Sequence, residues 1–296
     1  MCKQYTGPWR LAHRGVCQDA PENTMEAFEQ AYRDGVEGLE IDIRMTRDGE
    51  IVVHHDETFA RLTAGSAAPC EKRIQDCTWE EAAALRVPYA NHLLDNWQPD
   101  GMPDETRAID VQRQMGLDPA HPMMDALRAD SRCAHLIRLQ TLLDWMDGLD
   151  RRLILEIEYK APGMMPELCR LLEDCAKRMD CIIFSGDPTL IDEIQDYAAA
   201  HTLPEGVKLG ANIRRLTDAW KEKIPSMRLF EVGLNADALA PDDIAWLHDH
   251  QILVFSNLGD YPAAWQDICS NGLTGFKTNY AASFTAWWFD WQKNKA

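Results

Sequence analysis

Residues 38–44 read GLEIDIR. Successive side chains of an extended strand point to opposite faces, so Leu39, Ile41 and Ile43 share one face and Glu40 and Asp42 the other. Two neighbouring carboxylates repel, and burying them without a countercharge is expensive. If the apolar set packs under helices, both acids point into a closed sheet, where a bound cation removes the conflict. An edge strand with a solvated acidic face would show the same pattern. The choice turns on what the flanking segments build.

Seven further runs read as strands: RLAHRG (10–15), LILEIEYK (153–160), CIIFSG (181–186), VKLGAN (207–212), LFEVGL (229–234), ILVFSN (252–257) and GFKTN (275–279). Helical patterns follow most of them, which makes eight strands alternating with helices and predicts a (β/α)8 TIM barrel, an α/β fold. In NTMEAFEQAYRDGV (23–36), Asn23 and Glu26 are expected to form a capping box, and Gly35 to end the helix. Met25, Phe28 and Tyr32 should pack on the barrel. Other helices are expected near 164–178, 188–200, 213–223, 241–250 and 261–271.

Two segments break the alternation. IVVHHD (51–56) follows Asp48-Gly49, a tight-turn signal, and is best read as a β-hairpin extension after strand 2. A hairpin centred on that dipeptide places Asp42 opposite His55 and so brings an imidazole to the carboxylate pair. Residues 88–136 hold five of the fifteen prolines, helical patterns at 104–115 and 122–130, and no strand. They read as a helical insertion before strand 3, either a lid or a structural or oligomer-contact excursion. The 296 residues are otherwise expected to form one domain, 1–296.

A net charge of −18 argues against nucleic-acid binding and against docking on an anionic membrane, but not against a small anionic substrate. The N-terminal MCKQYTGPWR lacks the apolar core of a secretory signal, and no run is long enough to span a membrane. Nine cysteines without a C-x-x-C pair read as reduced thiols of a cytoplasmic protein. The oligomeric state is not legible.

LILEIEYK supplies more chemistry. Glu156, Glu158 and Lys160 share a face, and a carboxylate set without a Cys or His cluster favours Mg²⁺ or Ca²⁺ over zinc. Lys160 either neutralises a phosphate oxygen or pairs with a neighbouring glutamate. His13 and Arg14 close the first strand at the same rim, where barrel active sites are built. A cation, two histidines, an arginine and a lysine around one cavity suit phosphodiester cleavage.

The motifs HRG (13–15), PENT (21–24), E-I-D (40–42), HHDETFARLTAG (54–65) and E-Y-K (158–160) resemble the glycerophosphodiester phosphodiesterase family. The resemblance implies Glu40, Asp42 and Glu158 as metal ligands, His13 and His55 as the acid–base pair, and Arg14 and Lys160 as phosphate contacts. It implies metal-dependent hydrolysis of a glycerophosphodiester to glycerol 3-phosphate and an alcohol. A related phosphodiester or lysophospholipid, or a barrel that binds metal and phosphate without turnover, are the alternatives. The chain departs from the family at Phe255-Ser256, where Trp-Thr is usual, and at Thr278-Asn279, where Thr-Asp is usual. Both changes fall at the rim. PENT is expected to start the first helix through Asn23 while Glu22 and Asn23 brace the rim. The aromatic FTAWWFDW (284–291) is expected to be a packed terminal helix.

Overall fold

In the computed structural model, which describes residues 5–17, 20–63, 71–89, 131–173 and 180–295, GLEIDIR lies within strand β2 (Gly38–Met45). The strand is flanked on both sides by parallel partners: β1 (Trp9–His13) from Leu11↔Gly38 to His13↔Glu40, and β6 (Ile154–Tyr159) from Gly38↔Ile154 to Ile43↔Tyr159. The sheet continues through β7 (Cys181–Phe184), β8 (Val207–Arg214), β9 (Glu231–Leu234), β10 (Leu253–Ser256) and β11 (Gly275–Thr278). Strand β11 pairs with β1, so eight parallel strands close into a TIM barrel.

The alternation of β2 now has a physical meaning. Leu39, Ile41 and Ile43 are buried outside the barrel with Phe28, Leu142, Leu155, Ile157 and Leu168, and Glu40 and Asp42 are buried on the other face. The first helix, α1 (Met25–Arg33), contributes Phe28 to that packing and stops before Gly35, whose φ of 75° suits a residue without a side chain. Its cap differs from expectation. Thr24 is the N-cap and accepts a hydrogen bond from the Ala27 amide, while Asn23 sits one residue earlier at φ 57°. The Asn23 side chain is taken by Asp42, so it cannot serve the helix.

Strand β3 (Ile51–Val53) returns antiparallel to β2, but the register differs by one from the expected pairing. Met45 pairs with Ile51 and Ile43 with Val53, and the loop is the three residues 47–49, with Gly49 at φ 87°. A three-residue loop ending in a left-handed glycine is centred on Asp48 rather than on the Asp48–Gly49 bond. His54, not His55, therefore stands opposite Asp42, and its amide donates to the Asp42 carbonyl at 2.9 Å.

Residues 86–88 and 133–135 form strands β4 (Arg86–Pro88) and β5 (Cys133–His135), paired antiparallel from Arg86↔His135 to Pro88↔Cys133. The expectation of no strand within 88–136 is corrected: a short ribbon ties the base of this segment, with Val87 and Ala134 buried beside Phe59 and Leu62. Three-residue strands carry too little alternation to be read in sequence. The expected helices at 104–115 and 122–130 lie outside the described residues. The aromatic C-terminal stretch is the helix Ala281–Lys295, with Phe284 packed on Phe276 and Trp265.

Candidate active site

Oxygen atoms of Glu40, Asp42 and Glu158 lie within 4.8 Å of one another. The strand register explains this: Asp42 and Glu158 are direct cross-strand neighbours, and Glu40 is two residues below Asp42 on the same face. The carboxylates line or underlie a cavity of about 400 Å³ whose other walls include His13, Arg14, His55, Lys160, Asn212, Arg214, Asn235, Asn257 and Lys277. All seven residues singled out in the sequence meet here.

Burial, and then the charge on Asp42, push the Glu40 carboxyl well above its usual range. Burial acts on Asp42 in the same sense, but the Arg14 and Lys160 cations outweigh it and hold this carboxyl well below its usual range. Arg14 Nε lies 3.1 Å from Asp42 Oδ2, and Lys160 Nζ lies 2.9 Å from Glu158 Oε2 and 3.4 Å from Asp42 Oδ1. Asp42 Oδ1 is buried and takes no hydrogen bond among the described residues. An all-oxygen set with one destabilised carboxyl and one oxygen without a hydrogen bond fits a hard divalent cation.

Arg14 is held by its backbone as well as its side chain. Its φ is 54°, its amide donates to the Glu40 carbonyl and to Glu40 Oε2, and Nη1 reaches Glu22 at 3.3 Å. Gly15 follows at φ 88°, where a Cβ would stand 2.6 Å from the Ala27 methyl. The turn that delivers His13 and Arg14 to the rim thus requires glycine against α1. Arg14, Asn23 and Arg214 are three of the four non-glycine residues with positive φ among the described residues. Two of them line the cavity and the third donates to Asp42 at 3.0 Å, which places backbone strain at the site.

His55 reaches the cavity by a different route from the one the hairpin arithmetic implies. The ladder ends at Val53, and Arg44 Nε holds the His55 carbonyl at 2.8 Å. His55 Nδ1 lies 2.7 Å from Asp56 Oδ1, and Arg61 donates to both Asp56 and Glu22. Burial raises the Asp56 carboxyl, yet its bonds to His55 and Arg61 outweigh that and hold it well down. His54 is the structural histidine of the pair. It is buried against Phe59 with Nε2 on the Thr58 carbonyl, and burial pushes its pKa down to about 4.

Glu156 does not join the triad. It lies deeper in the barrel, with Lys277 Nζ at 2.8 Å from its Oε1 and Glu231 as a hydrogen-bonded neighbour. Sequence reasoning misses Lys277, although a lone lysine inside an apolar strand, GFKTN, is an available signal. It also misses Asn212, Asn235 and Asn257, because they come from three separate strand ends. Asn257 Nδ2 donates to Asn212 Oδ1 at 2.5 Å and to Asn235 Oδ1 at 2.8 Å, interlocking the wall formed by β8, β9 and β10. Beside them the Arg214 guanidinium makes no ion pair among the described residues. On the β11 side, His13 Nδ1 lies 2.9 Å from Asn279 Oδ1.

The fold has solved counterparts. A structure from Silicibacter pomeroyi assigned as a glycerophosphoryl diester phosphodiesterase superimposes with a TM-score of 0.73 at 20% identity, covering 98% of this chain and 95% of that one. An Oleispira antarctica phosphodiesterase in complex with sn-glycerol-3-phosphate does so with a TM-score of 0.68 at 15% identity, covering 95% and 96%. In sequence, the chain is 47% identical over 90 residues to glycerophosphodiester phosphodiesterase 1 of Rattus norvegicus, a stretch that is 30% of this chain and 25% of that protein. It is 44% identical over 75 residues to the glycerophosphodiester phosphodiesterase of Caldanaerobacter subterraneus, 25% of this chain and 29% of that protein. The matched stretch therefore spans between a quarter and a third of these curated relatives. Residues 13–280 match the glycerophosphoryl diester phosphodiesterase family as a whole. The chain belongs to that family.

Proposed function

We propose that this protein hydrolyses glycerophosphodiesters to glycerol 3-phosphate and an alcohol at a divalent cation, Mg²⁺ or Ca²⁺, held by Glu40, Asp42 and Glu158. The observation that carries the reading is the carboxylate triad within 4.8 Å, two of its members buried and Glu158 half-buried, in one cavity with two histidines and the basic side chains of Arg14 and Lys160. The named activity of the relatives supports it, as does the neighbour bound to sn-glycerol-3-phosphate.

When bound, the cation supplies Lewis-acid stabilisation of charge on the phosphoryl oxygens. The chain's own groups do the rest. Lys160 places its ammonium between Asp42 and Glu158, where it can donate to a phosphoryl oxygen. Arg14 adds positive charge beside the phosphate and keeps Asp42 ionised. His13 and His55 act as the acid–base pair: one accepts the proton of the attacking oxygen, either water itself or the glycerol hydroxyl with water then opening the cyclic phosphate, and the other gives a proton to the leaving alkoxide. Each ring is held at Nδ1 by a neighbouring side-chain oxygen.

The substrate is a small molecule. No helix among the described residues is long and apolar enough to cross a membrane. Nine cysteines without a C-x-x-C pair support a cytoplasmic setting. Enzymatic release of glycerol 3-phosphate from glycerophosphocholine, with and without EDTA, tests the reading. Release that stops with EDTA and returns with Mg²⁺ or Ca²⁺ is expected, and release indifferent to EDTA would overturn the metal role.

A further inference from the structure

The hydrogen bonds behind His13 fix more than its position. Asp260 is buried, and its carboxylate accepts hydrogen bonds from Thr278 Oγ1 to Oδ1 at 2.8 Å, from the Asn279 amide to Oδ1 at 2.9 Å, and from Asn279 Nδ2 to Oδ2 at 2.8 Å. A carboxylate oxygen offers no hydrogen, so the end of the Asn279 carboxamide that faces Asp260 must be its NH₂. That removes the freedom of the amide to flip. Oδ1 is then the atom turned to His13, and the 2.9 Å contact requires His13 Nδ1 to carry the hydrogen.

We propose that Asp260 and Asn279 are positioning residues that hold His13 in the Nδ1–H tautomer, so that Nε2 is the nitrogen that exchanges protons with substrate. The inference rests on His13 being one of the acid–base pair. Either carboxylate oxygen of an aspartate at position 279 could accept the same hydrogen bond. The asparagine needs Asp260 behind it to present oxygen rather than nitrogen. The carboxylate that orients the asparagine lies nineteen positions earlier in the chain, in the loop that follows β10.

The test is histidine-selective ¹⁵N NMR on the full chain, with the His13 signals assigned by comparison with His13→Gln. Wild type should show His13 as the Nδ1–H tautomer. Asn279→Leu should abolish that preference and lower kcat by about 10²-fold with KM within about twofold, the cost of an imidazole offered in the wrong form. The exchange variant Asp260→Asn/Asn279→Asp should restore both the tautomer and most of the activity. There the carboxamide introduced at position 260 can donate to the new carboxylate at position 279, which in turn accepts from His13. A wild-type His13 in the Nε2–H tautomer, or an Asn279→Leu variant with an unchanged tautomer, would overturn the proposal. The tautomer is read without turnover, so a wild-type protein that shows Nδ1–H yet hydrolyses no diester would sink the proposed function and leave the positioning of His13 by Asp260 and Asn279 standing.

Discussion

Lys277 Nζ lies 2.8 Å from Glu156 Oε1 in the barrel interior, below the carboxylate triad. Burial lowers the pKa of this lysine, but Glu156, then Glu40 and Glu231, outweigh burial and hold it above its usual range. The ammonium also lies 3.6 Å from the centre of the Phe184 ring. Lys277→Met removes the only cation paired with Glu156 among the described residues. Leaving one partner of a buried pair uncompensated costs roughly 3–5 kcal/mol. Urea unfolding of this variant should show that loss, and Lys277→Met/Glu156→Gln should recover a large part of it. Equal midpoints for wild type and Lys277→Met would refute the pairing argument.

His13→Ala and His55→Ala should each lower turnover of glycerophosphocholine by at least about 10²-fold, the usual worth of a positioned acid or base. Both side chains are only partly buried, so thermal unfolding should shift little. Steady-state rates alongside circular dichroism melts check both halves. A wild-type rate in either variant would remove that histidine from the pair.

Asp42→Asn keeps the volume of the side chain and removes a full charge from the triad. Cation affinity should fall by about tenfold or more, since even partners one step removed from a metal are worth that much. Titration calorimetry with Mg²⁺ and Ca²⁺ measures it directly, without reference to activity.

The His54 imidazole, pushed down to about 4 by burial, gives a pH signature of stability. Its folded pKa lies below the ordinary histidine value of about 6.5, so between these limits the unfolded chain binds more protons than the native one. Stability contributed by neutral His54 is complete above about pH 6.5 and is lost as the pH falls toward 4, by up to about 3 kcal/mol. Urea midpoints for wild type and His54→Gln, compared at pH 7 and pH 5, isolate the effect. The wild type should lose more stability across that interval than the variant does.

Arg214 lines the cavity beside the interlocked Asn212, Asn235 and Asn257, yet it makes no ion pair among the described residues. Its guanidinium is therefore available to an acceptor oxygen on the substrate. Arg214→Ala should raise KM about tenfold, the worth of one hydrogen bond to a charged group, with a smaller change in kcat. A substrate-saturation curve that superimposes on wild type would exclude the contact.

The barrel is legible because its signals are local and repeated. Eight strand patterns alternate with helices, and GLEIDIR separates its apolar and acidic faces within a single strand. HRG and E-Y-K sit at strand ends and E-I-D lies within β2, and together they mark His13, Glu40, Asp42, Glu158 and Lys160 directly. The departures from expectation are equally specific. The Asp48-Gly49 signal implies a two-residue turn, but the loop has three residues, and a single step of register puts His54 rather than His55 opposite Asp42. Asn23 has the chemistry of a helix cap, but Asp42 claims its side chain from nineteen residues away.

By itself, then, the sequence determined the parallel barrel, the carboxylate face of β2 and β6, and the histidines at the rim. Periodicity and strand-end position express all three without reference to distant residues. Only the tertiary structure decided the register by which His55 enters the cavity, the pairing of Glu156 with Lys277, and how Asp260 orients Asn279 behind His13. Those outcomes depend on barrel closure, which brings the ends of β1, β2, β6 and β8–β11 to one cavity. Hydrogen-bond donors and acceptors far apart in the chain then compete for the same partners.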